Sequence, residues 1–277
     1  LNLVPWFVGV EKRVGHDRWS DYLDAYISTA EAELLSYDCY GQMNPNPQED
    51  AAGYELYFTN LREFQAASER HGIPWWTTLL SVAHFRYRPP QEDHLRWQMN
   101  TALAHGARGL MWYFFYMVTG HPHVNYRLSP IDEHRERTQT YRWLSRTCRT
   151  ALNWHLPLLQ ELCLQRVHHV GRAWGGVPLL PSEGAGIIAT AHSEFGHPLI
   201  ISEFADPEGR PYVMIVNNSQ EENELAHFQV RGQGPSLHQV QWHGEETHLP
   251  PGDQNSGLAG TSAWLAPGQA ELYRVGN

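Results

Sequence analysis

With three cysteines in 277 residues, the chain cannot build a disulfide framework. Cys39, Cys148 and Cys163 also lack metal-ligand spacing, which leaves one disulfide pair among them open. No apolar run reaches transmembrane length, so the chain reads as soluble. Basic residues are in short supply: 20 Lys and Arg face 30 Asp and Glu, a net charge of −10 that argues against a nucleic-acid or anionic-membrane surface. There is no G-x-S-x-G elbow, no P-loop and no G-x-G-x-x-G after a strand. The first residues, Leu1-Asn2-Leu3-Val4-Pro5-Trp6, carry no Met and no signal-peptide pattern. They open inside a hydrophobic run, so a removed or separate upstream segment is expected, with a secreted or periplasmic location.

Aromatic residues, by contrast, are plentiful. Eleven Trp and thirteen Tyr suit both a large core and flat faces on which sugar rings stack. A length of 277 residues with 42% hydrophobic composition allows one large domain or two ordinary ones.

Through the first 160 or so residues a strand-like run alternates with a helix-like one. The expected strands are 1–8, 33–40, 73–82 and 110–117. The last is apolar throughout and is therefore expected to be covered on both faces. The expected helices are 19–32, 54–71, 91–105 and a long stretch over 133–160 that Pro157 interrupts. Gly72 and Gly106 mark helix ends, and Pro90 marks a start. Four such units make half of an eight-stranded (β/α) barrel, an α/β fold class. From about residue 167 short alternating runs at 186–189, 199–204, 212–216, 227–230 and 271–275 take over, separated by Gly, Pro and Asn turns. Asp206-Pro207-Glu208-Gly209 reads as a hairpin turn. The expected organisation is a half barrel over 1–164 and an all-β sandwich over 165–277.

The second run, Leu34-Leu35-Ser36-Tyr37-Asp38-Cys39-Tyr40-Gly41-Gln42, carries a carboxylate between two tyrosines at the end of a buried parallel strand. In α/β barrels that end opens into the site. Asp38 equally fits a capping carboxylate, and the tyrosines fit packing.

The segment from Pro74 to Tyr116 resembles the last two βα units of clan A glycoside hydrolases related to the β-galactosidases. The resemblance rests on Leu35 to Tyr40, Arg88 to Pro90, Leu95 to Gln98 and Ala104 to Gly109. Residues 204–217 and 265–275 resemble the β-sandwich that follows many such barrels. It implies that the four strands are the fifth to eighth of a barrel, acting on an oligo- or polysaccharide with no cofactor. The family's acid/base Glu, on strand four, would then lie upstream of Leu1. Its nucleophile, a Glu at the end of strand seven, would fall at 79–83, where the chain reads Leu-Leu-Ser-Val-Ala.

Three accounts follow. The nucleophile has moved, with Asp38 first and Glu11 second; or the protein binds sugar without cleaving it; or Ser81, His84 and their neighbours serve a different step while a missing half supplies both carboxylates. Glu11 beside Lys12 and Arg13 suits a base, a salt bridge or a solvated loop charge. Tyr37, Tyr40, His84, Arg86, Trp112, Tyr113 and Tyr116 are the candidate sugar contacts, while Arg88 also suits a pair with Glu92 or Asp93. Trp75 and Trp76 are expected in the core. His121-Pro122-His123 has no acidic companion, so no metal is expected. The expected partners are a carbohydrate, an N-terminal half-barrel segment or second chain, and a further copy of the chain as a homo-oligomer.

Overall fold

A computed structural model describes residues 2–45, 51–117, 124–231, 236–249 and 258–276. The chain falls into two compact units. The first comprises 1–91, 107–144 and 174–177; the second comprises 92–106, 145–173 and 178–277.

In chain order the first unit begins with α1 (Val10–Val14), α2 (Trp19–Ala30), β1 (Leu35–Asp38), α3 (Ala52–His71) and β2 (Trp75–Leu80). The helix α4 (Glu92–Ala104) belongs to the second unit, and β3 (Gly109–Tyr113) returns to the first. The three strands pair in parallel in sequence order, with Leu35 opposite Trp75 and Trp76 opposite Gly109. Among the described residues this sheet is not closed into a barrel.

The α3 helix forms because Tyr54, Tyr57, Phe58, Leu61, Phe64 and Ala67 recur at helical spacing and are buried. It stops at Gly72, whose φ of 65° is the left-handed cap a glycine takes readily. Phe64 stacks on Tyr37 at 4.0 Å between ring centroids, which ties the helix to the back of the sheet.

Several expectations are corrected. The run 1–8 is not a strand but a single parallel bridge, Leu3 to Tyr37. The chain leaves the ladder because Asn60 takes over the backbone of Trp6: its Oδ1 accepts from the Trp6 N–H at 2.7 Å and its Nδ2 donates to the Trp6 carbonyl at 3.0 Å. The loop after it contains α1. Strand β3 is half-buried along its whole length rather than covered on both faces, since among the described residues it pairs with β2 alone in the sheet. Trp75 is fully buried, but alternation turns Trp76 to the other face, where it lies over Gly109 and is 37% exposed. The long helix expected over 133–160 is shorter: α5 (Gln139–Thr150) gives way to a π-turn at Ala151–His155 and then α6 (Leu156–Leu159). Pro157 in α6 offers no N–H to continue the regular ladder. Cys39, Cys148 and Cys163 form no disulfide with one another.

The second unit holds the remaining strands: β4 (Cys163–Val170), β5 (Ile188–Ser193), β6 (Leu199–Ala205), β7 (Pro211–Asn217), β8 (Glu224–Arg231), β9 (Leu237–Val240), β10 (Glu246–Leu249), β11 (Leu258–Leu265) and β12 (Ala270–Val275). They form two antiparallel sheets, β10-β9-β12-β7-β6-β4 and β11-β8-β5. One apolar core draws on both, including Ile201, Val213 and Tyr273 from the first and Phe228, Val230 and Leu265 from the second. The turn expected at 206–209 joins β6 to β7, closed by the Gly209 N–H on the Asp206 carbonyl at 2.9 Å. Helix α4, buried from His94 to Ala104 except at Arg96, covers the six-stranded sheet. Ser202 Oγ donates to the Ala104 carbonyl at 2.7 Å, and Trp97 Nε1 donates to Asn218 at 3.0 Å.

His105 and His169 are buried in the second unit with rings 5.9 Å apart. Burial lowers the His105 pKa to about 4 and pushes His169 well below the ordinary value. Both imidazoles are therefore held neutral, while the unfolded chain protonates near pH 6.5. Their contribution is complete above that pH and is lost as pH falls from about 6.5 through 4. Stability measured by urea unfolding should decline over this window, and His105→Gln should flatten the slope by up to about 1.4 kcal/mol per pH unit.

A second outcome concerns Gly175, at φ 63°, where a Cβ would run into the backbone of Phe58 and Thr59. Gly175→Ala should cost roughly 3 kcal/mol in urea unfolding. Gly15→Ala, at φ 75° with open space around it, should cost about 1 kcal/mol.

Candidate functional site

Parallel pairing brings the carboxyl ends of β1, β2 and β3 to one edge of the first unit. Asp38 ends β1, and Tyr113 ends β3. Beyond β2 the chain runs through Ser81, Val82 and Ala83 to His84, all buried. The segment 124–131 then crosses these ends: Ala83 and Arg127 exchange backbone hydrogen bonds at 3.0 Å, and the Ile131 N–H donates to the Phe115 carbonyl at 2.9 Å.

An aromatic cluster results. Tyr40 stacks on Tyr113 at 5.8 Å and meets Tyr87 edge-on at 6.0 Å. The His84 ring lies 5.1 Å from Tyr87, 5.4 Å from Tyr113 and 5.5 Å from Tyr126. The hydroxyls of Tyr113 and Tyr126 share a hydrogen bond at 2.7 Å. Met43, Leu80 and Val82 supply the apolar floor.

Asp38 is the carboxylate hydrogen-bonded into this cluster among the described residues. Asn2 Nδ2 donates to its Oδ1 at 2.7 Å, and the Tyr40 hydroxyl also bonds it. Burial raises its pKa, against the hydrogen bond from Tyr40. Burial likewise raises Tyr40 and Tyr87, with Asp38 adding to both, and raises Tyr113 to about 12. The Cys39 thiol, buried beside Asp38, is also pushed to about 12 and stays an unreactive thiol at neutral pH. His84 is lowered by burial, and its Nδ1 is a buried atom with no partner. The face thus offers one carboxylate, a neutral imidazole and four phenol rings.

The structure brings together Asp38, Tyr40, His84 and Tyr113, and adds Tyr87 and Tyr126. Tyr126 was not legible because its loop docks only in three dimensions. Tyr87 carried a signal, an aromatic between Arg86 and Arg88 in the loop after β2. Tyr37 is elsewhere: it is fully buried against Phe64 and Trp75, with no surface to offer a ligand. Trp112 is half-buried, and alternation turns it from the face that Tyr113 occupies. Arg86 and Tyr116 are exposed outside the cluster. Arg88 donates to the Gln42 carbonyl at 3.4 Å, while Glu92 pairs with Arg146 and Asp93 with Arg96. Glu11 sits on α1, accepts from Trp6 Nε1 at 2.8 Å and lines a separate cleft with Glu55 and Arg62. His121 and His123 lie outside the described residues. Among the described residues no group of three or more His, Cys, Asp or Glu is arranged to hold a metal, and no helix is long and apolar enough to cross a membrane.

No family model matches the chain, and no curated protein matches it. The solved structures to which the chain is similar include glycoside hydrolases. A GH27 β-L-arabinopyranosidase from Geobacillus stearothermophilus is 12% identical, covers 100% of this chain and 66% of its own, with a TM-score of 0.33. CelM2, a bifunctional glucanase-xylanase from a metagenome library, is 12% identical over 97% of this chain and 50% of its own, at 0.34. A variant of the arabinopyranosidase in complex with arabinose is 12% identical over 93% and 61%, at 0.27. The chain thus spans between half and two thirds of these proteins. At such TM-scores the likenesses decide nothing about the chemistry of the site.

The Tyr113 to Tyr126 hydrogen bond yields a direct check. Tyr113→Phe should cost about 1 kcal/mol in urea unfolding, whereas Arg86→Ala, at an exposed position, should stay within about 0.5 kcal/mol.

Proposed function

We propose that this chain is a carbohydrate-active protein, a glycoside hydrolase in which Asp38 acts on a sugar seated among Tyr40, Tyr87, Tyr113 and Tyr126. The observation that carries the reading is a part-buried carboxylate, bonded by Asn2 and Tyr40, inside a ring of phenols and a neutral imidazole. Phenol faces suit the C–H face of a pyranose, and their hydroxyls suit its oxygens. Asp38 is supported on both sides of its titration: burial favours the protonated acid, while Asn2 and Tyr40 donate to the anion.

Hydrolysis of a glycosidic bond needs two carboxyls. In this reading the second is brought by strands that continue the parallel sheet, from another segment or a second copy of the chain, and Glu11 serves to hold Trp6. The two antiparallel sheets around one core are read as the accompanying β-sandwich, and the setting as secreted or periplasmic.

A second reading, a sugar-binding protein without catalysis, is favoured by one observation: Leu79 to Ala83 is wholly buried and contains no carboxylate. A panel of aryl glycosides and oligosaccharides separates the two. In the hydrolase, Asp38→Asn should lower the rate roughly 10²–10⁴-fold while leaving the fold intact by circular dichroism. An active wild type with an equally active Asp38→Asn removes Asp38 from the chemistry. Glycan binding with no hydrolysis by the wild type establishes the second reading.

A further inference from the structure

The second unit contains a pocket of about 390 Å³ bordered by α4, α5 and the strands β9 and β12. Its volume lies within the range of small-molecule sites, roughly 300–1,000 Å³. Nothing in the reading of Asp38 uses it.

Its floor is a chain of oriented amides. Gln239 Nε2 and Gln269 Nε2 donate to the two oxygens of Glu271 at 2.9 and 3.0 Å. Each glutamine is itself fixed through its carbonyl oxygen, Gln239 by Gln241 Nε2 and Gln269 by the Ala266 N–H, both at 3.1 Å. An amide nitrogen carries two hydrogens, so the bonds to Glu271 leave each glutamine a second N–H to donate. On the α4 side Asn100, 3% exposed, donates through Nδ2 to the Gly268 carbonyl at 2.8 Å. Its Oδ1 is buried with no partner. Such an acceptor costs free energy, and being closed to solvent it lies out of a ligand's reach.

The pocket therefore presents spare amide donors, from which the oxygen of a hydroxyl can accept. Its cations are engaged: Arg146 pairs with Glu92, and Arg96 with Asp93 and the Pro267 carbonyl. With Glu271 in the floor, an anionic ligand gains nothing there. At the rim the Trp242 indole is 66% exposed, a flat apolar surface beside the polar floor.

We propose that this pocket is a second carbohydrate site, taking a neutral sugar unit whose hydroxyls accept from the Gln239 and Gln269 amides while its C–H face lies on Trp242. It stands independently of catalysis at Asp38.

The test is titration of the ¹⁵N-labelled chain with glucose, galactose, xylose, arabinose and their β-linked disaccharides. The Trp242 indole N–H resonance, assigned by its absence in Trp242→Ala, reports the site. It should shift saturably with at least one sugar, and equally in Asp38→Asn. By calorimetry Trp242→Ala should weaken that affinity about tenfold. Gln239→Ala, checked by thermal melting, should weaken it further, because it removes one of the amide donors. An indole resonance that no sugar in the panel moves overturns the proposal. So does an affinity unchanged in Trp242→Ala, or one lost in Asp38→Asn alone.

Discussion

The first unit depends on the parallel register of three short strands. Leu35 opposite Trp75 and Trp76 opposite Gly109 set β1, β2 and β3 side by side and in the same direction. Parallel strands require a covering connection between each pair, and here α3 covers the sheet with Phe64 on Tyr37. The same direction makes all three strands end together. Asp38, His84 and Tyr113 are distant in sequence and meet for that reason alone.

What surrounds Asp38 determines what it can do. A carboxylate in water titrates as an ordinary acid, whereas this one is partly removed from water and bonded by Asn2 and Tyr40. The phenols of Tyr40, Tyr87 and Tyr113 are themselves raised, so none of these three competes as an ion near neutral pH, and the buried imidazole of His84 adds no charge there. The environment pushes both Asp38 and His84 towards their neutral forms, the first by raising its pKa and the second by lowering it. In the second unit Glu271 meets a different solution to the same problem: burial raises its pKa, and two glutamine amides bond its two oxygens.

Much of this architecture was legible in the chain. The strands around Asp38, Trp75 and Trp112, the helix with Phe58, Leu61 and Phe64 at helical spacing, and the hairpin at Asp206 to Gly209 all followed from periodicity and turn chemistry. Local patterns fail where a distant side chain intervenes. Leu1 to Val8 reads as a strand, yet the Asn60 amide captures the backbone of Trp6 and turns the chain away. The apolar run at 110–117 reads as doubly covered, but burial depends on neighbours that a strand does not encode. Glu11 reads as a second candidate carboxylate, and its side chain accepts from the nearby Trp6 indole.

The sequence by itself determined which residue types were available: a carboxylate at a strand end, abundant phenols, and no nucleophile elbow or metal set. It also determined the periodicities that build the local elements, because these depend on neighbours within a few positions. Only the tertiary structure decided which aromatics share a face. Alternation sent Tyr37 and Trp112 away from Asp38, and the loop over β2 and β3 carried Tyr126 to Tyr113 and His84. The orphan Oδ1 of Asn100 belongs to the same class of fact. An asparagine on a helix is ordinary in sequence, and it becomes an unsatisfied acceptor only when packing removes water from it and brings no donor in return.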